Sequence, residues 1–349
     1  MSNKWLNQVI FVAIALGLIS LFIILAGSDP IAVTARIFNG AFGNINRFAR
    51  VVATLAPLLL CASGLLFTFT AGLYNLGVEG QITFGAIATT FTLRLLYPIF
   101  PAPLVIVLGL IAGCLGGLCW GLLAGTLNIY GRVNEIFAGL GLNFVADGIA
   151  LYLILNPWKR AGVASMSGTE LFDQSLWLNT FGQTDASPVA LAIAFLALAI
   201  TFIVIEGTYF GLELQAVGKN LRAAYVLGIP AVRQILGAFA ICGALAGIAG
   251  ALQVLAVFHR LIPAISSNLG FLALLVAMIA GFRPIWILPV AFFFSALNIG
   301  SLQLPLSLQL ESSLAGVIQG ILVLLVLLGR GFSGYFKSTQ RHREHRQYR

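Results

Sequence analysis

Polar residues cluster in one short stretch, GLYNLGVEGQ (72–81), which lies between two long apolar runs. Asn75 and Glu79 are four residues apart, a spacing that can place two side chains on one helix face, and Tyr74 and Gln81 lie beside them. An ionisable group is costly in hydrocarbon, so we expect Glu79 to face protein or a water-filled path. Three roles stay open: a cross-link between helices or a cap on a broken helix end, a contact to a polar solute, and a plain interfacial turn.

A second polar pair, Asn143 and Asp147, has the same spacing. Asp147 is the only acid well inside an apolar run, which makes it a candidate for lining a path, with hydrogen bonding between helices as the alternative. Acid–base or metal catalysis would need clustered acids, or His and Glu at metal-binding spacing. The 11 acidic and three His residues are scattered instead. The sequence therefore disfavours an enzyme and predicts no metal site.

The elements that must position these residues are membrane spans. Only 9% of the 349 residues are charged and the mean hydropathy is +1.01, whereas soluble domains carry about 25% charged residues. Apolar runs long enough to cross a hydrocarbon core of about 30 Å recur along the chain, so the sequence predicts an all-α polytopic membrane protein. About ten spans are predicted, at 9–27, 51–71, 81–97, 103–127, 136–155, 188–205, 233–256, 269–282, 285–302 and 312–329.

Charge placement predicts the topology. Six of the 19 Lys and Arg residues lie in the tail 330–349, which follows an apolar span. Such a tail marks the cytoplasmic side and touches anionic lipid, and its position argues against a nucleic-acid partner. Because ten is an even number, both termini are expected in the cytoplasm. The cysteines fall inside apolar runs without metal-binding spacing, which favours a packing role.

Three segments between the spans are long enough to carry structure of their own. Segment 28–50 is predicted to form a short amphipathic helix at the outer interface. Segment 156–187 is polar and is interpreted as an external loop, and segment 206–232 is placed on the cytoplasmic side. No linker or low-complexity tract is visible, so 1–349 is predicted to be one transmembrane domain.

Glycines recur every four residues in the fourth predicted span, and the seventh repeats the spacing. A helix face made of glycine lets two backbones approach closely in lipid, where packing drives helix association. The sequence therefore predicts close helix packing at Gly113, Gly117, Gly121, Gly125, Gly243 and Gly247.

The cytoplasmic segment 206–232 contains a helical stretch, 212–225, with weak points at Gly218 and Asn220. Gly228 followed two residues later by a proline marks the end of this helical stretch. The segment is too polar to span the membrane. A helical hairpin that docks into a groove of another protein and an ordinary solvated connector both remain open.

The sequence AVGKNLRAAYVLGIPAVRQILGAFAICGALAGIAGAL (216–252) resembles the coupling segment and following helix of permease subunits of bacterial ABC importers, in the branch for nucleosides and simple sugars. In that family the segment contacts the ATPase. Leu221 stands where a proline is common and Gln215 where an arginine is common. The coupling residues that the resemblance implies are Ala216, Val217, Gly218, Lys219, Asn220, Arg222, Ala223, Ala224, Gly228 and Ile229.

Three further stretches resemble signatures of the same family, in the same order. GLYNLGVEGQ resembles a junction between adjacent spans, which in this family shapes the translocation path; 133–153 and 271–297 resemble two others. Together with Asp147, which is a candidate because it is an acid inside an apolar run, the path or junction residues are Tyr74, Asn75, Glu79, Gln81 and Asn143. The chain length is similar to that of the longer of the two permeases that nucleoside systems often pair.

The resemblance implies a type II ABC importer permease in the bacterial cytoplasmic (inner) membrane. The sequence has no G-x-x-x-x-G-K-[ST] loop, so ATP is expected in a partner subunit docked at 208–230 and no cofactor is expected here. A second permease subunit and an extracytoplasmic binding protein are the other implied partners, with nucleosides as the leading small-molecule substrate and simple sugars next. The alternative is an ion-coupled secondary transporter. Such transporters often show repeated halves, and no internal repeat is visible in the sequence, so Asp147 is the only residue that supports this alternative.

Overall fold

The structure is a computed structural model that describes residues 3–25, 27–97, 99–160, 162 and 167–305, together with 316–318, 320, 321 and 324. In this part of the chain every regular element is a helix and no strand occurs. The α-helices are α1 Asn3–Leu25, α2 Pro30–Phe42, α3 Ile45–Thr70, α4 Val78–Leu96, α5 Ala102–Ile129, α6 Glu135–Leu155, α7 Pro188–Gly207, α8 Tyr209–Lys219, α9 Leu221–Val226, α10 Ala231–Leu252, α11 Leu269–Ile279 and α12 Pro284–Ser301.

The helices confirm the all-α polytopic fold. Each of the first nine predicted spans coincides with one of these helices, and the tenth, 312–329, falls mostly outside the described residues. Within the described residues, six helices are long and apolar enough to cross a membrane by themselves, namely α3, α5, α6, α7, α10 with its extension to Val257, and α12. A helix pairs its own backbone N–H and C=O groups, and hydrocarbon offers no other hydrogen-bond partners for them.

The chain divides into two compact units, and the first comprises Met1–Phe48 and Ala296–Arg349. Its described core contains Val33 and Leu304. Helix α2 lies in the segment predicted to be amphipathic, and Asp29 caps it because the carboxylate accepts hydrogen bonds from the backbone N–H groups of Ile31 and Ala32. The interfacial position of α2 and the single domain over 1–349 stay predictions.

The second unit, Ala49–Ser295, is built around α4, α5 and α10. These helices approach so closely that a Cβ on Gly85 of α4 would overlap the backbone of Gly247 in α10. Helix α3 packs on another side of α10, where a Cβ on Gly64 would lie 3.1 Å from the Cα of Cys242. Helix α10 therefore packs against three neighbours, and small residues lie where the backbones approach most closely.

The loop predicted at 156–187 pairs with the connection that leads from α10 to α11. The backbone N–H of Phe172 donates to the carbonyl of His259 over 3.0 Å, and that of Thr169 donates to Leu261 over 2.8 Å. The His259 ring stacks on Trp177 with ring centroids 3.9 Å apart. Two segments far apart in sequence thus form one layer over the end of the bundle.

This layer is expected to weaken in acid. Burial lowers the pKa of His259 below its ordinary value of about 6.5, and the negative charge of Asp185 opposes that shift. The unfolded chain therefore binds the proton more readily than the folded chain, so stability is lost as pH falls through about 6.5. When the pH is lowered from 7.5 to 5.5, we expect the thermal unfolding midpoint of His259→Phe to decrease less than that of the unsubstituted protein. An equal fall in both would contradict this.

Candidate functional site

The stretch 72–81 forms a tight junction between α3 and α4, and Asn75 organises it. Asn75 is fully buried, and its side-chain oxygen accepts from the backbone N–H of Gly77 over 3.1 Å. Its amide nitrogen lies 3.2 Å from Gln81 Oε1 and 3.1 Å from the Cys242 sulfur of α10. The expectation that Asn75 and Glu79 share one helix face is wrong, because this side-chain turn keeps Asn75 outside α4, which begins at Val78.

Glu79 connects the first turn of α4 with the start of α11. Its side chain is 4% exposed, and Oε1 accepts from the backbone N–H of Phe271 over 2.9 Å. The cap residue of α11, Asn268, has φ 60°, and its side chain accepts no capping hydrogen bond. A carboxylate from another helix therefore satisfies a first-turn N–H group and faces the positive end of the α11 dipole.

We expect Glu79→Gln to lower the free energy of unfolding by about 1–3 kcal/mol, since the amide loses the charge and brings two buried donors into the site. Thermal unfolding of the purified chain measures this effect. The matched control is Glu135→Gln in the first turn of α6, where the half-buried carboxylate lies 3.4 Å from the Asn128 amide. A Glu79→Gln variant with unchanged stability and transport would make Glu79 a dispensable turn residue.

Asn143 fastens α6 to the same junction. Its side-chain oxygen accepts from the backbone N–H of Gly80 over 2.8 Å, and its amide nitrogen donates to the carbonyl of Leu76 over 2.9 Å. A Cβ on Gly80 would lie 2.9 Å from the Asn143 oxygen, so the missing side chain is what admits this contact. Asn143 thus braces two helices at the point where α4 starts.

Asp147 lies one turn further along α6 and is exposed at mid-helix. Its Oδ1 accepts from the Thr83 hydroxyl over 3.1 Å. A carboxylate exposed on a membrane span is stable only against water or another protein, since lipid would leave it unsolvated. Phe144, three residues earlier, is 79% exposed and belongs to the same open face. Tyr74 lies apart from this group and packs edge-on against Phe69.

The glycines that recur every four residues in α5 lie where this helix crosses α10. A Cβ on Gly117 would overlap the carbonyl oxygen of Gly243 and lie 2.5 Å from the Cα of Gly247. A Cβ on Gly247 would overlap the carbonyl oxygen of Gly113, and a Cβ on Gly121 would overlap the carbonyl oxygen of Phe239. Gly125 meets the Phe239 ring at 3.1 Å instead of a backbone. The two helices therefore meet backbone to backbone over about two turns.

Segment 206–232 forms a pair of short helices, α8 and α9, with the break at Asn220. The side-chain oxygen of Asn220 accepts from the backbone N–H of Ala223 over 3.1 Å and caps α9, and Thr208 caps α8 in the same manner. Gly228, with φ 77°, ends the pair in a conformation that favours glycine. Of the two weak points predicted within 212–225, Asn220 separates the two helices, whereas Gly218 lies inside α8.

Gly218 of α8 lies directly on the junction at the end of α3. A Cβ on Gly218 would overlap the carbonyl oxygen of Thr70 and lie 3.0 Å from the backbone of Ala71. Gly72 has φ 79°, and a Cβ on Gly72 would lie 3.1 Å from the carbonyl oxygen of Gly218. Sequence reasoning missed this contact, because nothing in the spacing of either stretch points to the other.

The remaining predicted coupling residues divide by burial. Val217 and Ala224 are buried, and Ala216 and Ile229 are half-buried. The exposed ones are Gly218, Lys219, Asn220, Arg222, Ala223 and Gly228. Large apolar side chains stand out beside them, with Val226 87% and Tyr209 86% exposed. Such a patch is typical of a surface that another protein covers.

A second interaction that sequence reasoning missed joins α8 to α10. The Gln234 amide donates a hydrogen bond to the Glu213 carboxylate, and Gln234 is buried. A glutamine in the first turn of an apolar helix was a visible signal, because a buried amide must find partners.

Comparisons with known proteins identify the family of the chain. The chain is 27% identical to the guanosine ABC transporter permease protein NupP of Bacillus subtilis over 90% of this chain and 91% of that protein. It is 28% identical to the nucleoside permease NupB of Lactococcus lactis, over 86% of this chain and 85% of that one. For the glucose permease TsgB13 of Haloferax volcanii the identity is 25%, over 93% and 87%. The family described as branched-chain amino acid transport system / permease component matches residues 47–327, and the chain belongs to that family.

Proposed function

We propose that this chain is the permease subunit of an ATP-driven importer in the bacterial cytoplasmic membrane and that it carries nucleosides, with simple sugars as the second candidate. The observation that carries this proposal is the contact of Gly218 in the cytoplasmic segment with Thr70 and Gly72 at the junction. The relatives named for guanosine and for nucleosides support the substrate class.

The contact between Gly218 and the junction offers a mechanical route. Permease subunits of this kind are not ATPases themselves, so a separate ATP-binding subunit supplies the motion. A displacement of α8 by that subunit would press on the end of α3, because the two backbones touch without side chains between them. The junction joins α3 to α4, and Glu79 joins α4 to α11. One rigid chain of contacts would thus tie the ATPase surface to three helices, as alternating access requires.

Asp147 and Phe144 are the side chains that we place on the path. A carboxylate accepts hydrogen bonds from the hydroxyl groups of a sugar ring, and an exposed aromatic ring can pack on a base or a sugar face. Both lie on the open face of α6, which a second permease subunit, identical or not, would close. The external binding protein would deliver substrate at 28–50 and 156–187, with both termini in the cytoplasm.

Replacing Asp147 by asparagine tests the role of its charge. The charged acceptor is lost, so we expect the KM for nucleoside uptake to rise about tenfold. Uptake should stay insensitive to collapse of the proton gradient, before and after the substitution. Loss of a proton-driven uptake in Asp147→Asn would instead favour an ion-coupled transporter.

The substrate class is tested by uptake of labelled guanosine and labelled glucose in cells that carry this chain with its genomic neighbours. We expect guanosine to accumulate, other unlabelled nucleosides to compete, and glucose to do neither. Accumulation of glucose without guanosine would replace the nucleoside assignment by the sugar assignment.

A further inference from the structure

A groove of about 550 Å³ opens on the side of the second unit, between the end of α5, helix α9 and the start of α10. Its volume lies within the range of about 300–1,000 Å³ that is typical of small-molecule sites. The lining is apolar except for Arg233 and the hydroxyls of two tyrosines, Tyr130 and Tyr225. None of these groups belongs to the junction or to the open face of α6.

The groove runs along α10 from its first turn into the span. Val232, Leu236 and Ala240 line it at a spacing of four, which is one face of a helix. From Arg233 to Ala240 the helix rises roughly 10 Å, whereas half of the hydrocarbon core is roughly 15 Å thick. An occupant must therefore be polar at one end and apolar over a length comparable to part of a lipid tail.

The polar end of the groove suits an anion. Arg233 is exposed, and among the described residues it makes no ion pair. Helix α10 begins beside it at Ala231, and its cap residue Pro230 provides no side-chain acceptor for the first-turn N–H groups. These groups carry the positive end of the helix dipole, and a guanidinium can hold a phosphate by two hydrogen bonds. The nearby Glu213 is engaged by Gln234.

We propose that the groove binds an anionic phospholipid, with the phosphate at Arg233 and one acyl chain along Leu122, Leu236 and Ala240. The two lining tyrosines are exposed, and exposed tyrosines are typical of the membrane interface. The assignment to the cytoplasmic leaflet rests on the proposed function, which places α8 and α9 on that side. Tyr225 belongs to α9, so a bound lipid would hold α9 against α10 and stabilise the coupling surface.

The test is lipid retention by the full-length purified chain, measured by native mass spectrometry after incubation with dioleoyl-phosphatidylglycerol or dioleoyl-phosphatidylcholine. We expect about tenfold stronger retention of the anionic lipid, the effect of one charged hydrogen-bonded pair. Arg233→Gln should remove the preference and leave the neutral lipid unchanged. Ala240→Trp should fill the apolar end and weaken retention of both lipids.

The matched control is Arg222→Gln, which removes an exposed arginine of α9 that does not line the groove. It should keep the preference for the anionic lipid. Equal retention of the two lipids by the unsubstituted chain, or an equal loss in Arg222→Gln and Arg233→Gln, would overturn the proposal. The proposal would also be overturned if the unsubstituted chain retained no lipid and Arg233→Gln weakened copurification with the ATPase subunit. Lipid retention is measured without transport. The lipid proposal can therefore fail while the uptake assays support the proposed function, and the proposed function can fail while lipid is retained.

Discussion

Gly117→Leu is expected to abolish the folded form of the protein. The Cβ of the new leucine would overlap the carbonyl oxygen of Gly243 and the backbone of Gly247. Helices α5 and α10 would therefore have to separate along their whole crossing. Even Gly117→Ala is expected to lower the free energy of unfolding by about 1–3 kcal/mol, because backbone cannot rotate out of the way as a side chain can. Size-exclusion chromatography of the detergent-solubilised chain measures the folded fraction.

Gly141→Leu is the control for Gly117→Leu. Gly141 lies in α6, another membrane span, but no atom lies within 4 Å of a Cβ built there. Leucine should therefore be tolerated in the isolated chain. A folded, monodisperse Gly117→Leu variant would mean that α5 and α10 do not meet backbone to backbone.

Gly218→Leu is expected to insert into the membrane and yet to lose substrate-stimulated ATP hydrolysis. The new side chain would displace α8 from Thr70 and Ala71, so the segment that we propose as the ATPase contact would no longer rest on the junction. The core helices do not change, which is why insertion and folding should persist. The assay is ATP hydrolysis by the reconstituted transporter with and without binding protein and substrate.

Gly207→Leu controls for the Gly218→Leu substitution. Gly207 ends α7, immediately before α8, and a Cβ there would meet nothing within 4 Å. ATP hydrolysis should remain stimulated in this variant. Stimulated hydrolysis in Gly218→Leu as well would remove 208–230 as the coupling site.

Hydropathy and spacing predicted those parts of the fold that depend on local properties. Helix positions follow from apolar length, and the break at Asn220 follows from a residue that caps a helix better than it continues one. The glycine spacing likewise predicted close packing at faces that the structure places at the α5–α10 crossing. Each of these features is determined by residues within one or two helical turns.

Other parts of the site depend on residues that are distant in sequence. Asn75 leaves the helix because its side chain satisfies Gly77 and Cys242, whereas the spacing rule assumes a continuous helix. Glu79 reaches Phe271, and Gly218 reaches Gly72, only once the spans have packed. A single sequence carries no signal for such pairings, so it predicted the polar residues without their partners.

The central claim is that ATP hydrolysed by a partner subunit drives uptake through this chain. The direct measurement is uptake of labelled nucleoside by cells that hold the chain and its genomic neighbours, with the ATP-binding subunit either intact or substituted at its phosphate-loop lysine. We predict that uptake disappears with the substitution and survives collapse of the proton gradient. Uptake that survives the substitution but disappears with the gradient would contradict the account.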